Sequence, residues 1–457
     1  MYHQFYYKVT RNTSFLCLSC IISLNFSMQQ HKTNYSPSPS ASTLLFDSLS
    51  RSLILGFMMK GEYGHHSCTS GGLLKILCMQ GGDDDGSYAR NSEAPASAIS
   101  LSKPILLKGI ESMKLFDGDA NECLRIADLG CATGYNTLAT IDLIVDTLMK
   151  RYQEEYNYEP EFEAFFSDLP SNDFNSLFKS FQQFDDTSEK RRYYSAGVPG
   201  SFYHRLFPRR KLHVAASLSA LHWLSKIPDS VLEKKSEAWN KGRAWIDGAK
   251  KEVVEAYSKQ SMEDLEAFLQ SRREEIVEGG LLFILMAGRP GSQKPENQLG
   301  DPDSRAKHPF TNSMDQAWED LLQEGLIDEE TRDTFNIPTY MRSTDEVYTA
   351  FHRCGGFEIQ RLEYERIVEH SKEKQEEWIK DPKSYGKSKA NLVRATLKPI
   401  VESHIGPKLS EELFKRFEKR ASEDTAMLHK TCFYGVIVIC AIRIKNDKYK
   451  IISESSD

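Results

Sequence analysis

The residues best spaced for chemistry lie in Asp128-Leu129-Gly130-Cys131-Ala132-Thr133-Gly134-Tyr135-Asn136. The pattern is D-x-G-x-x-x-G, a carboxylate followed by two glycines. Glycines let a loop backbone approach a bulky ligand without a Cβ in the way. The dinucleotide fingerprint G-x-G-x-x-G, which lays a pyrophosphate on a helix N-terminus, is not what stands here. An acid ahead of the first glycine suits a ligand with a cationic or hydroxyl-rich portion and no phosphate, such as S-adenosylmethionine. A Gly-rich turn with no ligand is the plainer alternative, but such crevices are the usual binding place. A second carboxylate, Asp168, comes 40 residues later. At a strand end it can accept both ribose hydroxyls of an adenosyl ligand. Its alternative is helix N-capping. Ser171 and Asn172 are equally able to cap, which leaves Asp168 for the ribose.

These acids need elements to hold them. The apolar run 124–127 ends at Asp128, and the amphipathic stretch 137–149 opens after Asn136, which reads as strand, tight loop, helix. Residues 162–167 read as a second strand, and Phe174, Leu177, Phe178 and Phe181 fall on one face of the helix after it. A helix is predicted over about 96–113. Further strands are predicted at 212–216, 281–287, 357–367 and 433–444, with 197–202 as a glycine-proline loop. Sequential strands with helices between them imply an α/β fold, a Rossmann-like doubly wound and mostly parallel sheet with a hairpin-like final pair as an antiparallel edge. Charged, helix-rich segments at about 230–278, 301–342 and 370–430 are predicted to form a helical cap over the strand ends.

At 457 residues, length alone allows two or three domains or one elaborated α/β domain. A net charge of −7 argues against a nucleic-acid partner, which calls for a basic surplus or stripe. No run of apolar residues is long enough to span a membrane, so no membrane partner is expected. The nine cysteines are scattered, and only Cys17 and Cys20 form a C-x-x-C, with no second pair to complete a zinc site. Cys123, Cys432 and Cys440 fall in apolar runs, which fits buried free thiols in a reducing compartment and a cytoplasmic location. Residues 1–70 differ from the rest, acid-poor and rich in Ser and Pro, and read as a disordered or mis-assigned extension ahead of a domain at 71–446 and a flexible tail at 447–457.

With these residues in hand, a family resemblance appears. Ser87-Tyr88-Ala89-Arg90-Asn91-Ser92, Ile126 to Cys131, Phe166 to Pro170, Gly197 to Tyr203, and Leu221-His222-Trp223-Leu224-Ser225 resemble the plant SABATH methyltransferases. Trp239 to Gly242 and Asp333 to Pro338 match as well, and the likeness runs from about 77 to 444 in the expected order. The family uses S-adenosylmethionine to methylate small acids and xanthines. The resemblance implies cofactor contacts at Tyr88, Ser92, Asp128, Cys131, Asn136, Asp168, Leu169, Ser201 and Phe202. Asp128 would face the methionine ammonium, Asp168 the ribose, and Ser201 and Phe202 the adenine. Tyr88 would lie near the sulfonium, where an aromatic ring gains cation–π attraction.

The acceptor wall implied by the resemblance falls on Tyr88, Pro95, Ser219, His222 and Trp223, with His222 and Trp223 as the catalytic pair. Spaced i, i+3, i+4, residues 219, 222 and 223 would share a face of a helical turn, and two N–H donors could then orient one carboxylate. Many members carry Tyr at 219, Gln at 95 and Lys at 80, where Ser219, Pro95 and Gln80 stand here, which argues against salicylate or benzoate. Leu101 to Pro104, Ser219-Ala220-Leu221, Gly300 to Ser304, Lys307 to Phe310, Cys354 to Phe357 and Asp381 to Gly386 resemble the branch that methylates gibberellins. His222 instead matches methyltransferases of indole-3-acetic and loganic acids. The expected activity is therefore carboxyl methylation of a plant hormone acid, a gibberellin first, with indole-3-acetate, loganate or jasmonate types as alternatives and a non-catalytic hormone-binding protein further off. The resemblance also implies Mg²⁺ contacts at Asn240, Asp333, Phe335 and Asn336 and a homodimer. One carboxylate with neutral oxygens is a thin shell for Mg²⁺, so a loop-fixing role for Asp333 and Asn336 is favoured.

Overall fold

The computed structural model describes residues 76–116, 123–185, 192–299, 309–424, 428–429 and 433–445. The expectations for residues 1–70, the Cys17–Cys20 pair, Cys432 and the 447–457 tail lie outside the described residues.

The sheet grows from β1 (Leu124–Leu129), whose side chains are buried at all but one position. A strand buried on both faces needs partners on both edges and helices on both sides. β1 lies parallel between β2 (Phe162–Asp168) and β4 (Leu212–Leu218), and β3 (Tyr194–Pro199) and β5 (Ile276–Arg289) extend the parallel ladder outward. The full order is β3-β2-β1-β4-β5-β8-β7, with the two-residue β6 (Arg342–Ser343) beside β5. β8 (Phe433–Arg443) runs antiparallel to both β5 and β7 (Phe357–Val368). The expected antiparallel edge is therefore present, but the last strand of the chain is not its rim. β8 is inserted inside, because residues 436–441 are all buried apolar, while β7 carries Glu358, Arg361 and Glu363 and tolerates water.

β3 is the strand that the sequence reading took for part of a loop. It is a half-exposed edge with Gly197 and Pro199, residues that weaken or end strands. Gly197 is used here for contact: a Cβ there would lie 3.2 Å from the Phe178 ring.

Helices α1 (Glu93–Ser112), α2 (Tyr135–Tyr156) and α3 (Phe174–Asp185) cover one face, burying Ile110, Ile141 and Leu177 against Ile126, Phe166 and Val214. On the other face, α5 (Lys251–Glu275) and α8 (Thr344–Cys354) bury Leu265, Phe268, Val347 and Phe351. The short α4 (Asp229–Leu232) replaces the longer helix expected after 230.

The cap is a third apolar cluster. It joins α6 (Pro309–Gln323) and α10 (Pro382–Glu423) and buries Trp318, Val393, Phe414 and Phe417 with Phe335, Trp245 and Tyr257, while α7 (Glu329–Thr334) packs beside α6 and α9 (Lys372–Lys380) beside α10. α10 breaks at Gly406, which adopts φ 78° just before Pro407, so it is two helices meeting at a corner. Among the described residues no helix is long and apolar enough to cross a membrane.

Candidate active site

Asp128 ends β1 almost fully buried. One of its oxygens accepts the Thr137 hydroxyl from the first turn of α2, and the other has no partner in the protein. Burial, with the charge of Asp168 adding to it, pushes the Asp128 carboxyl up to about 7. Burial likewise pushes Asp168 up to about 6, against the lowering effect of its bonds from the N–H groups of Ala132 (2.8 Å) and Leu169 (2.7 Å). A buried acid beside a half-buried one, whose charge raises the first one's cost of ionisation, forms a site for a cation. Tyr88 lines a hollow together with Asp168, and burial first, then the charges of Asp168 and Asp128, push its phenol well above the ordinary tyrosine range. It stays neutral.

The loop between the acids is shaped by its backbone. Gly130 has φ 88°, and a Cβ there would stand 2.3 Å from that of Ala220. Ala132, at φ 49°, is clamped by its N–H on Asp168 and by the Asn172 amide donating to its carbonyl at 3.1 Å. At Gly134 an added Cβ would meet only the Ser92 hydroxyl, at 3.9 Å, so the space above the N-terminus of α2 is open. The helix after Asp168 is capped by neither Ser171 nor Asn172. Asp173 caps it, accepting the N–H of Ser176 at 3.0 Å. Asp168 is thereby spared that duty.

Tyr88, Gly130, Ala132, Asp168, Leu169, Ser201, Phe202, Ser219 and Trp223 line one cavity. Asp128, Ser92, Cys131 and Asn136 stand behind it: Asp128 is buried, the Asn136 amide donates to the Ser92 carbonyl at 3.4 Å, and the Cys131 thiol is buried. An orphaned, buried carboxylate oxygen, a second, half-buried acid and an open glycine cradle fit an adenosylmethionine cation.

A second cavity, of about 310 Å³, lies under the cap and is lined by His222, Trp223, Leu299, Phe310, Ile337, Met341, Val393, Leu397 and Phe417 among others. Trp223 lines both cavities and so stands at their boundary. The helical turn expected over Ser219, His222 and Trp223 shrinks to a single turn that leaves Ser219 outside it, closed by the Trp223 N–H on the Ala220 carbonyl at 3.1 Å. Ser219 turns left-handed, φ 56°, and Trp223 makes an antiparallel bridge to Thr339 instead. The reason is tertiary. The carbonyls of Leu221, His222 and Trp223 accept from the Arg342 guanidinium, the Tyr340 N–H (2.9 Å) and the Tyr203 hydroxyl. Ser219 consequently lines the first cavity rather than the second. Pro95 sits in the first turn of α1 and lines neither, whereas its neighbour Ala94 lines the larger one. Burial, reinforced by the Arg342 charge, holds the His222 imidazole down at about 4. It is neutral at pH 7, with a buried Nδ1 that has no partner in the protein.

The family model described as "SAM dependent carboxyl methyltransferase" matches residues 74–445. The chain belongs to that family. The enzyme is 57% identical over 378 residues to gibberellic acid methyltransferase 2 of Arabidopsis thaliana, covering 82% of this chain and 97% of that one. It is 53% identical over 379 residues to gibberellic acid methyltransferase 1 of the same plant, covering 82% and 100%. Among solved structures it resembles a loganic acid methyltransferase with SAH, at TM-score 0.70 and 32% identity, covering 81% of this chain and 100% of that one.

The residues expected to hold Mg²⁺ do come together, but as a clamp. The Asn240 amide donates to Asn336 Oδ1 at 2.7 Å and to the Trp245 carbonyl at 3.2 Å. Asp333 accepts the Gly242 N–H at 2.9 Å, and neighbouring Arg332 donates to the Gly242 carbonyl at 2.7 Å. Phe335 packs against Trp318 with ring centroids 4.6 Å apart. A lone carboxylate beside a guanidinium, with a neighbouring amide oxygen already accepting, does not fit the oxygen-rich shell of Mg²⁺.

Sequence reasoning missed two arginines. Arg272, fully buried with Glu275 at 2.7 Å, donates to the carbonyls of Phe202 (2.9 Å) and His204 (3.0 Å), so a buried ion pair fixes the Ser201–Phe202 loop. Arg342 fixes the Leu221–Trp223 turn, as above. Both act on backbone carbonyls far along the chain, for which spacing gives no signal. The fully buried Arg272 and Glu275 lie three apart on α5, inside a segment that the sequence marks only as charged and helix-rich. Cys123, expected to be buried, is only half so.

Proposed function

We propose that the enzyme moves the methyl group of S-adenosylmethionine to the carboxylate of a gibberellin, giving the methyl ester. The observation that carries the reading is the cavity of about 310 Å³, apolar on most of its wall, reached past Trp223 from the acid-lined site. Its volume is within the range of ligand pockets, roughly 300–1,000 Å³. A fused-ring acid buries its skeleton against Phe310, Ile337, Val393 and Phe417 while its carboxylate meets His222 and Trp223. The two Arabidopsis relatives, named for gibberellic acid, support the same substrate class.

When bound, S-adenosylmethionine supplies an electrophilic methyl on a sulfonium. The protein's part is to bind, orient and dry. Asp128 takes the ammonium on its unpartnered oxygen, and Asp168 accepts from the ribose with the lone pairs its two N–H bonds leave. Ser201 and Phe202 take the adenine, held in place by Arg272. Tyr88, kept neutral, offers its ring and hydroxyl without adding a third charge. The acid needs no general base, being ionised at pH 7. His222 and Trp223 each offer an N–H to a carboxylate oxygen and set its lone pair toward the methyl. Alignment, and exclusion of water from opposite charges that disappear together, supply the rate. The free thiols Cys78, Cys123, Cys131, Cys354 and Cys440 suit a reducing compartment, the cytoplasm.

The test is a panel of carboxylic acids, gibberellins beside indole-3-acetate, jasmonate and loganate, with radiolabelled methyl donor. A gibberellin should show the highest kcat/KM. A far higher value for any of the others would refute the substrate assignment, and no turnover with any acid would refute the reaction.

A further inference from the structure

The larger cavity is not apolar throughout. Where the end of β7 meets α10, its wall carries Glu369, His370 and Lys389. The Lys389 ammonium donates to the Glu369 carboxylate at 2.9 Å and to His370 Nε2 at 2.9 Å. It also sits 5.6 Å from the Tyr385 ring centroid. The cluster is largely withdrawn from water, with side-chain exposures of 18% for Lys389 and Glu369 and 25% for His370. Burying an ammonium and a carboxylate costs more than a surface ion pair returns. Apolar residues of similar size would have sufficed if the wall served only to pack a hydrocarbon skeleton.

The hydrogen-bond inventory shows what the cluster has to offer. An ammonium has three N–H donors, and the carboxylate and imidazole take two of them, so one remains on a residue that lines the cavity. His370 Nε2 stands 2.9 Å from the ammonium and 3.3 Å from Glu369 Oε2, so the three groups form one connected cluster. The Lys389–Glu369 charges cancel, which leaves no surplus to attract a second anion. A neutral oxygen that can accept one N–H, and donate to a carboxylate, matches this set. The cluster comes from the β7–α9 turn and α10, elements different from the β4 loop that presents His222 and Trp223.

We propose that Lys389, Glu369 and His370 form a polar subsite of the acceptor cavity that binds an uncharged hydroxyl carried on the substrate's ring system, apart from the carboxylate that is methylated. The subsite rests on the acceptor reading given above and adds how the enzyme sorts acids of one skeleton: the oxygenated member is held at two points, its deoxygenated counterpart at one.

The test uses two gibberellins of one skeleton, one with a ring hydroxyl and one without it, and the full-length enzyme as wild type and as Lys389→Met. In the wild type the hydroxylated acid should have the higher kcat/KM. In Lys389→Met that preference should shrink by about tenfold, the worth of one charge-assisted hydrogen bond, and the change should appear in KM for the hydroxylated acid. The KM for S-adenosylmethionine reports on the other cavity and should move far less. Removing the ammonium strands the Glu369 carboxylate, so Lys389→Gln combined with Glu369→Gln provides a second, charge-balanced variant that keeps an N–H donor. It should recover part of the preference. If Lys389→Met and the double variant lower both acids alike, the cluster only supports the fold and the subsite is refuted, while the gibberellin assignment stands. If the wild type methylates neither acid, the acceptor reading fails and the subsite falls with it.

Discussion

Asp128→Asn separates the cost of an ionised acid in the empty site from its use when the site is filled. The side chain keeps its shape and can still accept the Thr137 hydroxyl. Only the charge is lost. In the ligand-free protein burial raises this carboxyl from 3.8 to about 7. That shift corresponds to ~4 kcal/mol between the protonated and ionised forms. The sign follows from proton counting. Between pH 4 and 7 the folded state holds a proton that the unfolded state has released, so ligand-free stability falls as pH rises through that window. Asp168, raised to about 6, adds a smaller effect of the same sign. This is the reverse of a salt-bridged carboxylate. Asp128→Asn should therefore leave the ligand-free enzyme more stable than wild type at pH 7.5, with a flatter dependence of melting temperature on pH. The filled site should behave oppositely. S-adenosylhomocysteine carries its amine on a free amino acid, whose own carboxylate keeps it protonated, so over pH 5.5–7.5 the titrating partner is the acid. If only ionised Asp128 binds, wild-type affinity should drop roughly twentyfold to thirtyfold across that range, following the ionised fraction of a group near 7. The measurement is titration calorimetry at fixed ionic strength, alongside thermal melts with and without the ligand. A mutant that binds as tightly as wild type, or a wild-type affinity that does not fall with acid, would refute the assignment of Asp128 to the ammonium.

Three further outcomes are expected. Ser219→Tyr places a bulky side chain on a backbone at φ 56°, in the wall of the acid-lined cavity. Strain of roughly 1–3 kcal/mol should appear in the melting temperature, and KM for S-adenosylmethionine should rise; a change confined to the choice between acids would place residue 219 in the other cavity. Trp223→Phe removes an N–H at the boundary of the two cavities and nearly preserves volume, so kcat/KM should fall for every carboxylic acid by a similar factor, about tenfold. A loss seen with only one acid would mean that Trp223 reads the ring system rather than the carboxylate. Chelation of divalent cations should leave kcat unchanged, whereas Asp333→Ala, which strips the Gly242 N–H of its acceptor, should lower the melting temperature by a few degrees. A rate that collapses on chelation and returns with Mg²⁺ would overturn the clamp reading.

The sequence by itself settled what is local. Period and punctuation marked β1, its glycine loop and α2, because a buried parallel strand must be continuously apolar and the turn at Gly130 leaves no room for a Cβ. The same locality made Asp128 and Asp168 visible as a pair, since consecutive parallel strands bring their ends together. Other decisions belonged to the tertiary structure. The inner place of β8 and the edge strand β3 follow from which faces remain to be covered after the others have paired. The turn at Ser219–Trp223 looked helical by spacing, yet Arg342 and Tyr340 from one distant segment and Tyr203 from another claim its carbonyls. The wall of the larger cavity is gathered from the β4 loop, α6, the 337–341 segment and α10, across more than a hundred residues of sequence. Helical periodicity shows that α10 has an apolar side. Which of its residues face a cavity and which face a core depends on the distance to the opposite wall, and only packing sets that distance.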